Sequence, residues 1–246
     1  NYECLIKSVH AKYIHGFTAT PKRQDGLEKL MHFQIGSVVY KAANSTSSFE
    51  QHVKVVKTNT SFPPEWLIPE TKPHISQVYK HLVCDQTRNE MIVNSIEMSV
   101  NNSRAVMVLT ERKDHIELLA KLMADKGIKV VELHGGISTK QRQERITFLS
   151  IKPSNDEAVV ILAIGKYVGE GFDLPHLDTL FITLPIAWKG ILAQYAGRIQ
   201  REWSSKTVIQ VYDFIDDLPT LQRMWKKREK GYKALGYKFN EQKNLD

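Results

Sequence analysis

Near the C-terminus the chain reads "QYAGRIQR", residues 194–201, and places Gln194, Arg198 and Arg201 at i, i+4 and i+7. On a helix that spacing puts all three side chains on one face. A guanidinium stays charged and binds phosphate oxygens as a rigid fork, so a pair of them suits a polyphosphate. Gly197 lies among them. In a helix interior a glycine costs about 1 kcal/mol relative to alanine, which implies that something must come close to the backbone there. Four further stretches carry glycines or polar residues: "ERKDH" (111–115), "HGG" (134–136), "GKYVGEGFDLP" (165–175) and "PIAWKG" (185–190). Glycine-rich turns let a backbone approach phosphate closely. Taken singly, each stretch also reads as an ordinary tight turn, and the arginine pair as a solvated helix face.

The elements that must position these residues follow a regular pattern. "RAVMVLT", "IKVVEL", "AVVILAI", "TLFITL" and "TVIQVYDFI" read as strands. Between and after them lie helices. "DHIELLAKLMADKG" has Asp114 as its cap, one face of Ile116, Leu119, Leu122 and Met123, and Gly127 as its stop. "STKQRQERITFL" opens with Ser138 and Gln141 in capping-box spacing. "GILAQYAGRIQR" and "LPTLQRMWKKREKGYKALG" complete the set. Strands with little polar alternation, interleaved with amphipathic helices, predict a parallel sheet covered on both faces. Ligands in such sheets bind at the carboxyl ends of the strands, here the loops after Thr110, Leu133, Ile164 and Leu184.

Upstream, "KYIHGFTATPKRQDG" reads as a buried strand running into a turn, "LEKLMHFQIG" as a short helix stopped by Gly36, and "SVVYK" as a strand. The small polar run "AANSTSSFEQ" is the best linker in the chain. "VKVVK" begins another strand before a proline-rich loop, and a helical stretch runs from about residue 76 through "ISQVYKHLVCDQTRNEMIVNSIEMSV".

Composition sets bounds. With 42% apolar and 25% charged residues in 246, the chain suits a globular protein with a sizeable core. No apolar run nears the roughly 20 residues of a membrane span. The opening "NYECLIKSVHAKY" lacks the long apolar stretch of a secretory signal. Cys4 and Cys84 stand far apart, against a zinc site or a disulfide framework, and fit a reducing cytoplasmic setting. His10 and His15 do not have metal-helix spacing, and no metal site is expected. The net charge of +7 is the electrostatic footprint of a nucleic-acid binder, though a weak one alone. In the last helix, Leu218, Leu221, Trp225, Tyr232 and Leu235 form an apolar stripe broken by Gly231. Arg223, Lys226, Lys227 and Lys230 cover the other side, as a solvated face or a nucleic-acid track.

In order along the chain, "GFTATP" (16–21), "VLTERKDH", "LHGG", "GEGFDLP" and "QYAGRIQR" resemble motif III, motif IV, the intervening glycine motif, motif V and motif VI of superfamily 2 helicases. The Q-x-x-G-R-x-x-R match is the most specific. The details are most similar to the DEAD/DEAH-type group that includes excision-repair helicases and restriction-enzyme motor subunits. The resemblance implies an α/β fold: a RecA-like parallel sheet flanked by helices, preceded by the remnant of a first RecA-like domain. The expected boundaries are 1–44 for the remnant, 45–52 for a linker and 53–246 for the second domain. In that family two RecA-like domains clamp ATP and Mg²⁺ between them and walk along nucleic acid. Carried over, Arg198 and Arg201 are arginine fingers and Gln194 orients the same γ-phosphate. Gly171 and Asp173 sit by the nucleotide and hold the fingers. Thr18 and Thr20 couple nucleotide to nucleic acid. Thr110, Arg112, His134, Gly135 and Lys166 fall where the family contacts the phosphodiester backbone, DNA in the first instance, with RNA the alternative. The chain holds no G-x-x-x-x-G-K-[ST], and its Asp156-Glu157 pair precedes a strand rather than ending one. It reads as a fragment that by itself binds ATP weakly and turns over none, with the first RecA-like domain as its implied partner and no membrane. The alternative is a helicase-like module that holds nucleic acid or protein without a motor.

Overall fold

The structure is a computed structural model that describes residues 8–17, 28–40, 49–68, 70–150, 159–168, 172–186 and 189–241. The chain divides into two compact units, Asn1–Thr46 and Ser47–Asp246.

In the first unit, helix α1 spans Glu28–Ile35 and stops where expected: Gly36 takes φ +98° and its N–H donates to the His32 carbonyl at 2.9 Å. Among the described residues neither of the two strands expected beside it forms. Among the described residues of this unit, 9–17 and 37–40 are irregular, and Val38, Val39 and Tyr40 are exposed. A strand needs a neighbour for its ladder, and no strand stands among these residues to provide one. Thr18 and Thr20 lie outside the described residues.

The second unit is a seven-stranded sheet in the order β3-β4-β2-β5-β6-β1-β7. Its strands are β1 (Glu50–Lys57), β2 (Val106–Thr110), β3 (Lys129–Leu133), β4 (Val159–Ile164), β5 (Thr179–Ile182), β6 (Val208–Ile215) and β7 (Lys238–Glu241). Every pairing is parallel. β1 begins inside the expected linker: Phe49 is buried, so residues 49–52 belong to this unit. β7 was not legible as a strand, because "KFNE" is short and polar.

The helices are α2 (Ile75–Cys84), α3 (Gln86–Asn101), α4 (Lys113–Asp125), α5 (Thr139–Ser150), α6 (Lys189–Ile199) and α7 (Pro219–Ala234). The expected continuous helix from residue 76 breaks at Asp85, whose backbone is extended and whose carboxylate accepts from the Arg88 N–H at 2.9 Å, capping α3. Asp114 does not cap α4. It sits in the first turn, and Arg112 occupies the cap position with no side-chain cap bond. Gly127 ends α4 as expected: at φ +71° it lets the Ile128 N–H reach the Met123 carbonyl. The Ser138–Gln141 capping box forms, with both reciprocal bonds present at 3.2 and 2.9 Å.

Alternate residues of the strands enter two cores. Val106, Val108, Val160, Leu162, Phe181, Tyr212 and Phe214 pack with Ile92 and Ile96 of α3 and Ile116 and Leu119 of α4. Met107, Leu109, Ile161, Ala163, Leu180, Ile182, Ile209 and Val211 pack with Leu149 of α5, Leu192 and Ile199 of α6 and Tyr232 of α7. Burial on both faces explains why the strands read as unbroken apolar runs.

A buried charge lies within that sheet. Asp213 in β6 is fully buried and takes a forked pair of bonds from Arg228 of α7, at 2.7 and 2.9 Å, with a third from the Tyr232 hydroxyl at 2.8 Å. Arg228 also donates to the Ile186 carbonyl at 2.9 Å, which fixes the loop between β5 and α6. Removing one partner leaves the other charge buried and unmatched. Asp213→Ala is therefore expected to destabilise the chain by about 3–5 kcal/mol, read by denaturant unfolding. A loss below about 1 kcal/mol, the scale of an exposed ion pair, would show that Arg228 finds water instead.

Candidate functional site

A parallel sheet gathers every strand's carboxyl end on one edge, and the site residues divide between that edge and the opposite one. At the carboxyl edge, Thr110 ends β2, but its hydroxyl turns inward. It is 1% exposed and bonds His115 Nδ1 at 2.9 Å, so it is not a surface contact. Arg112 follows, partly exposed and held as a fork by Asp114 at 2.6–3.1 Å. His134 follows β3; it is 8% exposed, and its Nδ1 accepts from the Gly136 N–H at 2.9 Å. Gly135 is exposed, and Lys166 lies in the 3-10 turn Gly165–Val168 after β4. The glycines have a packing reason. A Cβ at Gly135 would overlap the Tyr167 hydroxyl, and one at Gly165 would overlap the Tyr195 hydroxyl. Both are shaped by tyrosines that knit neighbouring loops together.

Arg198, Arg201 and Asp173 lie at the other edge. α6 starts beyond the carboxyl end of β5 and runs back to the start of β6, so its last turn reaches the amino ends of the strands. The loop after Leu184 thus only begins at the carboxyl edge. The helix stops at Ile199, which leaves Arg201 beyond it, and the expected single helical face of Gln194, Arg198 and Arg201 does not form. A buried lysine causes the stop. Lys206 Nζ donates to the carbonyls of Ile199, Arg201 and Pro175 at 2.9, 2.8 and 2.7 Å, closing the helix end as a cation does best. Burial pushes its ammonium down to about 8. The same three bonds bring Arg201 beside Asp173, Nε to Oδ1 at 3.5 Å, both more than half exposed. Arg198 donates to the Phe172 carbonyl at 2.9 Å, and Gln194 is exposed. Gly171 lies outside the described residues. A Cβ at Gly197 would meet nothing within 4 Å, so the helix is open on that side.

Donors dominate this edge, and among the described residues no group of three His, Cys, Asp or Glu could hold a metal ion. The residues fit the terminal phosphate of a nucleotide; they do not fit Mg²⁺. Among the described residues no helix is long and apolar enough to cross a membrane.

Sequence reasoning missed the polar chain behind the carboxyl edge. Asn89 donates to the Val83 carbonyl at 2.8 Å, which points its Oδ1 at His115 Nε2, 3.0 Å away. Nε2 therefore carries the proton, and Nδ1 accepts from Thr110. It also missed Arg88, fully buried against Asp216 at 2.7 and 3.1 Å, with Thr58 on the same carboxylate at 2.6 Å.

Residues 87–203 match the helicase conserved C-terminal domain. That stretch of the chain is similar to a helicase C-terminal domain. It is 26% identical over 236 residues to the putative helicase 161L of Invertebrate iridescent virus 6, covering 93% of this chain and 51% of that protein. Its fold is like that of UvsW from T4, with TM-score 0.61 at 17% identity over 80% of this chain and 42% of that one. It is also like that of Dbp5 from S. cerevisiae, solved bound to RNA and ADP BeF3, with TM-score 0.60 at 13% identity over 92% of this chain and 50% of that one. The chain spans about half the length of the relative and structures it matches here, 51%, 42% and 50%. The fold is the RecA-like one expected, a parallel sheet flanked by helices.

Two outcomes test this site. Burial, then the nearby Arg88 cation, lowers His115 from 6.5 to about 3. The unfolded chain then binds more protons between those values, so stability falls as pH drops from about 6.5 towards 3. Acid unfolding monitored by circular dichroism should show that slope, and His115→Gln should flatten it. An unchanged slope would assign the acid sensitivity to other groups. At Gly197, alanine meets no obstruction. Gly197→Ala should raise the stability of this chain by about 0.4–1 kcal/mol, and a loss in its melting curve would contradict the open helix side.

Proposed function

We propose that this domain is the second lobe of an ATP-driven helicase or translocase. It grips nucleic-acid backbone at the carboxyl edge of its sheet. At the amino edge it offers Arg198 and Arg201 to the γ-phosphate of ATP held by a partner lobe. The observation that carries this reading is the sorting itself: cations near Asp173 at one edge, Arg112 with the His134–Gly135 loop at the other. A motor needs its strand and its nucleotide sensed at separate places on one rigid body, and a single sheet supplies that rigidity. The contacts at the carboxyl edge are to phosphate, which DNA and RNA share, so binding follows salt more than sequence.

At the amino edge the chemistry is charge neutralisation. Phosphoryl transfer spreads negative charge over the equatorial oxygens, and a guanidinium stabilises it as it develops. Asp173 meets Arg201 at Nε, and the Arg201 side chain is more than half exposed. Lys206 fixes the backbone from which that side chain projects. Gln194 is exposed on α6 one turn before Arg198. Mg²⁺ and the phosphate cradle come from the partner lobe.

In a full-length protein that joins this domain to a Walker A lobe, Arg201→Ala should lower kcat by about 10³, the scale of arginine fingers generally. KM for ATP should change far less. Arg201→Lys should rescue poorly, because an ammonium cannot fork across two oxygens. The melting curve should stay put, since Arg201 is more than half exposed. Normal steady-state turnover in Arg201→Ala would refute the finger assignment.

A further inference from the structure

We propose that the exposed cationic face of α7 is a second contact for nucleic-acid backbone, outside the matched domain 87–203. It rests on the proposed function only in taking nucleic acid as the anion.

Arg223, Lys226, Lys227 and Lys230 are all exposed and stand at i, i+3, i+4 and i+7 of α7. They form a stripe about 10 Å long at about 1.5 Å rise per residue. Like charges at these spacings repel and weaken a helix. α7 does little to relieve them. Its acid Glu229 is taken by Lys233, at 2.6 Å. Among the described residues none of the four stripe cations makes an ion pair, and Arg223 donates only to the Thr220 hydroxyl, at 2.9 Å. Asp217, exposed just before the helix, favours the helix dipole and precedes the stripe.

The opposite face of α7 is committed. Leu221, Met224, Arg228 and Tyr232 are buried against the sheet and α2, and the Asp213–Arg228 fork anchors them. Thus the stripe faces outward by construction, with no freedom to roll inward. Its position is defined too. α7 follows β6 at the carboxyl edge, and Arg228 bonds Ile186 in the loop leaving β5 at that same edge. The stripe therefore begins on the side of the edge that carries Arg112 and the His134–Gly135 loop and runs from there along α7 across the sheet face.

Its composition favours nucleic acid over a protein partner. Protein interfaces centre on apolar and aromatic residues, with charges depleted from the core. This face carries lysine and arginine with no exposed large apolar residue among them. Phosphates along one strand recur at about 3.4 Å of axis, so the stripe matches about three of them.

The test is fluorescence anisotropy of the 246-residue chain with labelled oligothymidylate, across a salt series. K226E/K227E/K230E should weaken binding about tenfold or more. It should also reduce the slope of log K against log salt by about 2, three phosphates at about 0.7 each for a single strand. K226Q/K227Q/K230Q should give an intermediate loss, and it substitutes for the first variant if that one melts early. An Arg112→Ala arm separates the two readings. If the lysine variants bind and respond to salt like the parent while Arg112→Ala is weakened, the stripe is refuted and the carboxyl-edge contact stands. If the lysine variants are weakened and Arg112→Ala is not, the stripe stands and the Arg112 contact fails. A parent chain that binds no oligonucleotide, or binds polyglutamate equally well and loses both in the variants, overturns the proposal.

Discussion

Parallel pairing of all the strands is the constraint from which the rest follows. It forces each connection to cross a face of the sheet, so both faces are covered and the strands have no wet side. Polar chemistry is then confined to the edges, and an α-helix that leaves one edge must arrive at the other. α6 obeys this: Tyr195 packs on Gly165 at the carboxyl edge, while Lys206 closes the helix end at the amino edge. The sequence "QYAGRIQR" therefore spans the domain instead of lining one loop. The amino edge is itself tied down by a second cation. Arg104 donates to the Val208 carbonyl at 2.8 Å and to Thr179 Oγ1 at 3.0 Å, joining the starts of β5 and β6. Arg201 and Asp173 stand on a platform that two buried or half-buried cations have already made rigid.

Much of this was legible in the sequence, and the failures have particular causes. Apolar strand runs and capping signals survived contact with the structure because they are local: Gly127, Ser138 and Gln141 do what their types dictate. The single helical face of Gln194, Arg198 and Arg201 failed because a residue five positions later, Lys206, draws the carbonyls of Ile199 and Arg201 together. Nothing in "SSKTV" announces that reach. The strand expected at "SVVYK" failed because propensity cannot supply a neighbour. Arg228 carried a readable signal. The stripe Leu221, Trp225, Tyr232, Leu235 has a gap at 228, where one side chain must turn inward, and "VYDFI" holds a charge that demands a partner. Gap and charge are one interaction. Glycines misled in the other direction: Gly135 and Gly165 make room for tyrosines, so small size there reports packing.

The arginines themselves show how structural and functional cations differ. Arg88 and Arg228 are each 1% exposed and forked onto a buried carboxylate. Replacing such a partner would leave a charge stranded in a low-dielectric interior, so those pairs do not exchange. Arg112 and Arg201 are paired as well, but with Asp114 and Asp173 at the surface. An exposed pair contributes about 0–1 kcal/mol. A phosphate can therefore displace the aspartate at small cost while the guanidinium stays aimed. In the proposed function Asp173 is a placeholder that pairs with Arg201 and yields it when a phosphate arrives. Exchangeability decides which arginines can serve chemistry. By that measure the fold spends two of them on its core and keeps the surface-paired ones available at opposite edges of the sheet.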